Sequence, residues 1–229
     1  PVDMRFFPGE RSPIDSGAGG WATYKERIPA VYGTYVFEGP KLEVEGGLRL
    51  ERVLVDYDVN PDHNTYQSDG YSYTRPFPTV RLAWKVDDNH KLSLFVNRRV
   101  DRPNEVDIRI FPKYDEPELI KVGNPGLRPQ FTTSMDLGYR TAWSGGSLYA
   151  AGYHRIVDAT ITRIATQAPG SPLLYNVFQN AGRSRITGSE LVWQQTVSPA
   201  VSINANANLY RTSIGAFTVV NLYPVPVTY

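Results

Sequence analysis

The sequence predicts an all-β fold, namely an up-and-down antiparallel transmembrane β-barrel, here a partial barrel of about eight strands. Three observations predict it: long runs of alternating apolar and polar residues, connections that are alternately short and long, and tryptophans placed just before the short turns. The strands are expected at 21–37, 42–57, 73–86, 91–101, 131–143, 147–163, 181–197 and 201–213.

The alternation is clearest in VSINANANLYR, residues 201–211. Val201 and Ala205 fall on one parity, while Asn204 and Asn206 fall on the other. Because side chains of a strand alternate between its faces, this strand has one apolar face and one polar, uncharged face. A soluble β-sandwich also alternates in this way, so the pattern alone does not choose between a membrane and a packed core.

The connections between the strands separate the two ends of the predicted sheet. Short turns fall at 38–41, 87–90, 144–146 and 198–200, and long segments rich in Pro, Gly, Asp and Asn fall at 58–72, 102–130 and 164–180. In an up-and-down sheet, all short turns then lie at one end and all long loops at the other. Membrane barrels have this asymmetry, with short periplasmic turns and long extracellular loops. Loops of this length are uncommon in compact soluble domains.

Three of the four tryptophans support the same orientation. Trp84, Trp143 and Trp193 lie shortly before a short turn, all on the apolar parity. Tryptophans gather in this way at the interface between a membrane and water, although ordinary core packing explains them equally well.

Composition excludes several classes of protein. The 229 residues contain no cysteine, so there is no disulfide scaffold and no cysteine-ligated metal. The 24 basic and 23 acidic residues give a net charge of +1, which does not favour nucleic acid. No apolar run is long enough for a transmembrane helix, and the first residues, PVDMRFFPGE, do not form a signal peptide.

Residues 91–163 resemble the carboxy-terminal half of TonB-dependent outer-membrane receptors. The resemblance lies in KLSLFVNRRVDRP, DIRIFPKYDEP, VGNPGLRPQFTTSMDLGYR and YHRIVDATI. In that family a strand ending in Arg-Arg-x-x-Arg-Pro enters a long loop, and a Gly-Asn-Pro-x-Leu-x-Pro-Glu run leads into the next strand. The run is Gly123–Gln130 here, with Gln130 where glutamate is usual, and Ile110-Phe111-Pro112 replaces the usual Asn-Pro-Phe order.

The resemblance implies an energised receptor of the cell outer membrane that imports a scarce nutrient, such as an iron siderophore, a vitamin or a glycan. It implies three partners: a small-molecule or glycan ligand at the extracellular side, outer-membrane lipid, and an inner-membrane TonB complex that acts through a plug domain. Residues 1–20 and 214–229 both fall at the long-loop end, so we expect 1–229 to be a section of one β-barrel domain. The plug and the remaining strands would then lie outside it.

No motif predicts an enzyme or a cofactor. His63, His90 and His154 lie far apart, and no nucleophile has a base placed near it in a recognisable pattern. The candidate ligand-binding residues instead belong to the extracellular rim and loops, where the charged members could equally form ion pairs with one another. They are Arg99, Asp101, Arg102, Tyr114, Asn124 and Arg128.

Three other hypotheses stay open from the sequence. One is a soluble extracellular β-sandwich that binds carbohydrate, with the apolar faces as its core. Another is a passive porin or adhesin barrel, which a plug domain upstream would argue against. The third is a calcium site in the predicted long loop 58–72. The segment from Asp58 to Asp69 has the spacing of a calcium-binding loop, but His63 stands where such a loop needs glycine.

Overall fold

The computed structural model describes residues 2–6, 20–63, 66–111, 113–116, 119–167, 170, 172–221 and 227–228. These residues form sixteen strands and one helix, α1 (Glu105–Ile108), which is too short to cross a membrane. The strands are β1 (Val2–Phe6), β2 (Gly20–Arg27), β3 (Ala30–Glu38), β4 (Leu42–Val59), β5 (Asp69–Lys85), β6 (His90–Asp101), β7 (Lys113–Glu116), β8 (Leu119–Val122), β9 (Gln130–Trp143), β10 (Gly146–Asp158), β11 (Ile161–Gln167), β12 (Leu174–Asn180), β13 (Ser184–Ser198), β14 (Val201–Ile214), β15 (Val220–Asn221) and β16 (Val227–Thr228).

Ten strands form one antiparallel up-and-down sheet in the order β1-β2-β4-β5-β6-β9-β10-β13-β14, with β3 also paired to β4. β2 and β3 act as one long strand, because both pair with β4 in a single continuous register on either side of Ile28-Pro29. In the described residues the sheet is open, with β14 as one edge and β1 and β3 along the other. The predicted all-β class and the partial up-and-down barrel are confirmed.

All eight predicted strands are present, with differences at their ends. The strand predicted at 147–163 ends at Asp158, because Ala159 has a left-handed backbone with φ of 55° and the next strand joins a different sheet. The strand predicted at 73–86 begins at Asp69, and the one predicted at 181–197 begins at Ser184. β1 was not predicted, and it pairs with β2.

The predicted long loops contain a second sheet in the order β11-β12-β8-β7. Its β12 and β8 pair in parallel, and these two strands lie about 50 residues apart in the chain. We call this sheet, together with α1 and the connections 102–129 and 159–183, the loop cap. Its apolar side packs on the adjacent ends of β2 and β4 and on Tyr66, forming one buried cluster: Ala22, Tyr57, Val59, Tyr66, Ile108, Ile110, Ile120, Val122, Leu127, Tyr175 and Val177.

The two faces of β4 exchange their polarity part-way along the strand. From Leu42 to Leu50 the even-numbered residues are apolar or glycine and are exposed or partly exposed, as with Leu48 at 53%, while the odd-numbered residues include Glu45 and Arg49. Beyond Arg52 the odd-numbered residues are apolar and buried: Val53, Val55, Tyr57 and Val59. We call the even-numbered side of β4 the outer face of the sheet and the opposite side the inner face. The apolar band of the outer face ends at Leu50. The loop cap therefore begins to cover the inner face at the same height along β4, close to Val53.

The outer face remains uncovered throughout the described residues. Leu137 is 60% exposed, and Trp84 and Trp143, just before short turns, also lie open on this face. A β-sandwich would bury such residues against a second sheet. An exposed apolar face of this extent is typical of a surface that contacts lipid.

Candidate functional site

Arg102 joins three strands where the inner face meets the loop cap. It directly follows β6, and its Nη2 donates a hydrogen bond to the Glu51 carboxylate of β4. Its Nε lies 3.7 Å from the Glu26 carboxylate of β2, and Arg49 Nε lies 2.7 Å from the same Glu51. Glu51 is only 3% exposed, and these two guanidinium groups are its ion-pair partners.

Gln130 connects the rim of the sheet to the loop cap through both ends of its amide. Its Nε2 donates to Asp101 at 3.1 Å, and its Oε1 accepts from the Ile161 N–H at 2.9 Å. Asp101 also lies 3.5 Å from Arg99 Nε on the same strand. An ionised glutamate could accept from Ile161 but could not donate to Asp101. The amide therefore suits this position better than the glutamate that the related family usually carries.

The Gly123–Gln130 run anchors the loop cap to the sheet and to β12. Asn124 Nδ2 donates to the Phe178 carbonyl at 2.9 Å, and its Oδ1 accepts from the Gly126 N–H. The backbone N–H of Arg128 donates to Asn180 Oδ1 at 2.8 Å, and Asn180 Nδ2 donates back to the Arg128 carbonyl. These paired amides hold the run in one position.

The start of this run needs glycine because the backbone of Arg109 lies against it. A Cβ at Gly123 would come within 2.4 Å of the Arg109 N and O. On the other side, the Tyr66 hydroxyl donates to the Gly123 carbonyl at 2.9 Å. Tyr66 is buried, and this burial raises the pKa of its hydroxyl. Both contacts place Gly123 inside the core of the loop cap.

The Arg128 side chain reaches from the run to the first residues of β5. Its Nη2 donates to Asp69 at 2.8 Å, and its guanidinium lies 4.9 Å from the centre of the Tyr71 ring. Partial burial opposes ionisation of Asp69, but hydrogen bonds from Arg128 and from the Gly70 N–H outweigh it and hold the pKa of the carboxyl below its ordinary value. The pair is therefore ionic at neutral pH.

The five described candidate residues all lie at the long-loop end, but they do not line one pocket. Arg99, Asp101 and Arg102 stand at the end of β6, whereas Asn124 and Arg128 belong to the run that anchors the loop cap. The backbone of Tyr114 pairs with Ile120 in the small sheet, and its side chain lies outside the described part of the structure. The sequence did not predict that Glu26 would lie beside Arg102, or that Asp69 and Tyr71 would contact Arg128. For Glu51 the available sequence signal is the alternation of the strand predicted at 42–57, in which it shares the polar parity with Glu43 and Glu45.

Below the loop cap the inner face is a mixed polar wall. It carries an open groove of about 390 Å³ whose lining includes charged groups and tyrosines. Six of the lining residues are Arg81, Phe95, Asp136, Tyr149, Tyr153 and Arg155. A wall of this composition suits a hydrated interior, where many groups can donate or accept hydrogen bonds.

The described residues contain no group of three histidine or acidic side chains placed to share a metal ion. In the segment with calcium-loop spacing, Asp58 lies 3.9 Å from Lys25 and Asp69 is bound by Arg128. The histidines stay separate: His90 contacts the Tyr139 hydroxyl at 2.6 Å, and His154 contacts the hydroxyl of Thr187 at 2.7 Å.

Comparison with known proteins gives a family and a fold. The family model described as "outer membrane protein beta-barrel family" matches residues 3–222. The copper transporter OprC is similar in structure, with a TM-score of 0.62 and 18% identity over 85% of this chain and 30% of that one. The ferric yersiniabactin uptake receptor FyuA from Yersinia pestis gives 0.55 and 15% over 86% and 28%. The ferric-catecholate import receptor Fiu from K12 E. coli gives 0.55 and 13% over 89% and 30%.

The chain thus spans less than a third of the length of these three barrels. Identities this low establish the fold alone, which is that of an outer-membrane β-barrel. The family match and the shared fold confirm the outer-membrane barrel that the resemblance of residues 91–163 implied. The chain belongs to the outer membrane protein β-barrel family, and its place is the cell outer membrane.

Proposed function

We propose that residues 1–229 are a section of the barrel wall of a TonB-dependent receptor that imports a scarce nutrient. The observation that carries this proposal is the loop cap, which is anchored over one end of a polar inner wall. A passive pore gains nothing from an apolar core placed over its entrance, whereas a receptor needs ordered loops to hold a ligand. The names of the similar structures include a copper transporter and two ferric-complex receptors, which favours a metal-carrying small molecule over a glycan.

Arg99, Asp101, Arg102, Tyr114, Asn124 and Arg128 are proposed to serve the ligand in two ways. The Arg99 and Asp101 side chains are 58% and 43% exposed, so they are available to contact a ligand at the rim. The Arg102 side chain is 25% exposed and is held by Glu51. Together with Asn124 and Arg128, it is proposed to fix the loops that surround the ligand, and Tyr114 is proposed to contact the ligand from the loop cap.

The partners in this proposal are a small-molecule ligand on the extracellular side, the surrounding lipid, and a TonB complex in the inner membrane. The last of these would act through a plug domain, which lies outside residues 1–229. Energised uptake and passive permeation therefore predict different results in the same cells.

The test uses the full-length protein, expressed in cells with and without TonB. We expect saturable uptake of one member of a panel of ferric siderophores, cobalamin and oligosaccharides, and we expect loss of that uptake without TonB. The purified Arg99→Ala/Asp101→Ala variant should bind this ligand at least about tenfold more weakly, since it loses charge-assisted contacts. Lys41→Ala, at the short-turn end, is the matched control. Uptake that depends only on solute size and persists without TonB would mean a porin.

A further inference from the structure

The hydrogen-bonded ladder between β5 and β6 stops part-way toward the long-loop end. These two strands pair only between residues 79–85 and 91–97. β5 nevertheless pairs with β4, and β6 with β9, as far as their upper ends. The described strands therefore leave a seam without backbone pairing, bounded by residues 69–78 of β5 and 98–101 of β6. We call it the upper seam.

Two prolines account for the missing pairs. The Lys85 N–H donates to the carbonyl of Lys41, which directly precedes β4. Because the backbone groups of an antiparallel strand point to its two neighbours in turn, even-numbered residues of β5 face β6. Pro76 and Pro78 therefore stand where β5 should donate to β6, and proline has no N–H. Pro76 lies opposite Leu50 of β4, so the upper seam begins where the apolar band of the outer face ends.

Aromatic rings from both faces of the sheet meet at the upper seam. Phe77 lies opposite Arg49, which places it on the inner face. Phe131 shares the outer parity of β9 with Leu137. The rings of Phe77 and Phe131 are stacked with their centres 6.3 Å apart, and both residues are buried. Tyr73, from the inner parity of β5, packs edge-on against Phe131 at 5.5 Å. Side chains of opposite faces can meet only where the wall between them is interrupted.

Two guanidinium groups flank the Phe131 ring. That of Arg75 lies 4.4 Å from the ring centre, and that of Arg98 lies 5.7 Å from it. Among the described residues neither arginine has a carboxylate within ion-pair distance, and Arg98 Nε is buried without a hydrogen-bond acceptor. Arg75 belongs to the inner parity of its strand and Arg98 to the outer parity. The upper seam thus presents one unpaired cation from each face.

On the inner side the upper seam adjoins an open groove of about 320 Å³. Phe77 and Thr79 form the end of this groove nearest the seam, and Tyr32 and Leu48 contribute to its other parts. Most of its surface is apolar, unlike the polar wall below the loop cap. Its size is that of sites that hold small molecules. The upper seam therefore separates an apolar groove on the inner side from the lipid-contacting side of the barrel.

We propose that the upper seam is a lateral opening of the barrel wall, which admits an amphipathic molecule with one alkyl chain and a carboxylate head. The stacked rings close it in this structure, and their separation breaks no bond of the backbone ladder. An alkyl chain suits the rings and the groove because it buries apolar surface there. A carboxylate suits Arg75 and Arg98 because an ionised acceptor meets donors that have none.

The test uses the full-length protein in phosphatidylcholine vesicles and a dodecanoic acid that carries a photoreactive diazirine at the end of its chain. Mass spectrometry locates the residues that become cross-linked. Wild type should be labelled along the upper seam and in the groove, at least about tenfold more by the acid than by the matching dodecanol, since an ionised acceptor strengthens each hydrogen bond. The labelling needs neither TonB nor the ligand of the rim, so it can fail while the proposed uptake stands.

A disulfide across the upper seam tests whether the seam opens. Pro78→Cys/Arg98→Cys, on a background without other cysteines, places thiols at positions that would face each other if the register continued. Oxidation should abolish labelling of the groove, and reduction should restore it. The matched control is Val80→Cys/Val96→Cys, two residues lower on the same strands, where the ladder is intact. Its oxidation should leave the labelling unchanged.

A second variant closes the upper seam without a cross-link. Pro76→Val/Pro78→Val returns the two missing N–H donors, so the ladder should extend upward. Hydrogen exchange should then slow at residues 98–101, and labelling of the groove should fall. Groove labelling that survives oxidation, an equal loss in the Val80→Cys/Val96→Cys control, equal labelling by the acid and the alcohol, or an unlabelled wild type would each overturn the proposal.

Discussion

The loop cap and the part of the ten-stranded sheet nearest the short turns, which we call the lower sheet, are stabilised in opposite ways. In the loop cap, short strands from distant segments bury their apolar residues against one another, as in any water-soluble domain. In the lower sheet, long strands pair only with their neighbours and leave leucines such as Leu48 and Leu137 exposed. The loop cap is therefore stabilised by its own core, whereas the lower sheet depends on backbone pairing and on the surrounding lipid.

β4 runs through both regions, and the face that carries its apolar residues changes where it passes from one region to the other. Its apolar residues lie on the outer face up to Leu50 and, apart from the half-buried Leu54, on the inner face from Val53 onward. The strand has 18 residues, whereas about 9–11 are enough to span a bilayer. Its upper part thus belongs to the extracellular loop cap, and each substitution below should affect one region and spare the other.

The largest expected effect is on the lower sheet. Leu94→Arg and Ala205→Arg each place a cation on the outer face, which costs about 2–4 kcal/mol near the middle of a bilayer. Asn204→Arg and Asn206→Arg place the same cation on the inner face and should be much milder. Reversible unfolding from lipid vesicles measures both sets. Equal losses on the two faces would contradict the assignment of an inner, hydrated side.

Gly123→Ala should damage the loop cap by a comparable amount. Its Cβ would meet backbone atoms of Arg109, and overpacking of this kind costs about 1–3 kcal/mol. Hydrogen exchange should show lost protection in β8 and β12 but unchanged protection in β5 and β6. Gly126→Ala is the control, since its Cβ would meet only the tip of the Asn124 side chain. An unaffected loop cap in Gly123→Ala would mean that the close contact with Arg109 is wrong.

Gln130→Glu tests the hydrogen bonds by which Gln130 connects the sheet to the loop cap. The new carboxylate would face Asp101 and lose the donated hydrogen bond, which costs about 1–3 kcal/mol when a polar group is left unsatisfied. We expect hydrogen exchange to increase at Ile161 and along β11, with a smaller effect at low pH, where one of the carboxyls becomes protonated. Gln130→Glu in combination with Asp101→Asn should restore protection. No rescue in this double variant would argue against the Asp101 contact.

The smallest effect is the pH dependence of the Asp69–Arg128 pair. The pKa of Asp69 is lower in the folded protein than in the unfolded chain, so the pair stabilises the fold above about pH 4 and is lost as pH falls through the folded pKa. Both side chains are about 40% exposed, so solvent limits the gain to below about 1 kcal/mol. Proteolysis of the 60–68 loop should increase between pH 5 and pH 3 in wild type by more than in Asp69→Asn. The same increase in both proteins would assign the effect to other groups.

The sequence predicted the lower sheet well and the loop cap hardly at all. A strand such as β14 is recognisable because its two-residue period runs for 14 residues and its turn is local. β8 has only four residues, and its partner β12 lies in a different long loop, so no local pattern joins them. For the same reason Arg99, Asp101 and Arg102 could be proposed as candidates from the end of one strand, while the contact between Arg128 and Asp69 could not be predicted. Contacts that cross loops depend on the fold of the whole chain.

The polarity exchange along β4 is the central claim, and a cysteine scan tests it most directly. Residues 1–229 contain no cysteine, so each single cysteine substitution from Leu42 to Val59 can carry one spin label in a full-length protein whose cysteines outside this range are replaced by serine. In lipid vesicles, even-numbered positions from 42 to 50 should be accessible to oxygen from the bilayer. Odd-numbered positions from 53 to 59 should be shielded from both oxygen and water-soluble relaxants, and even-numbered positions there should meet water. If the even-numbered positions remained accessible to bilayer oxygen as far as residue 58, the membrane would extend over the upper part of β4. This result would contradict a loop cap that begins where the membrane ends.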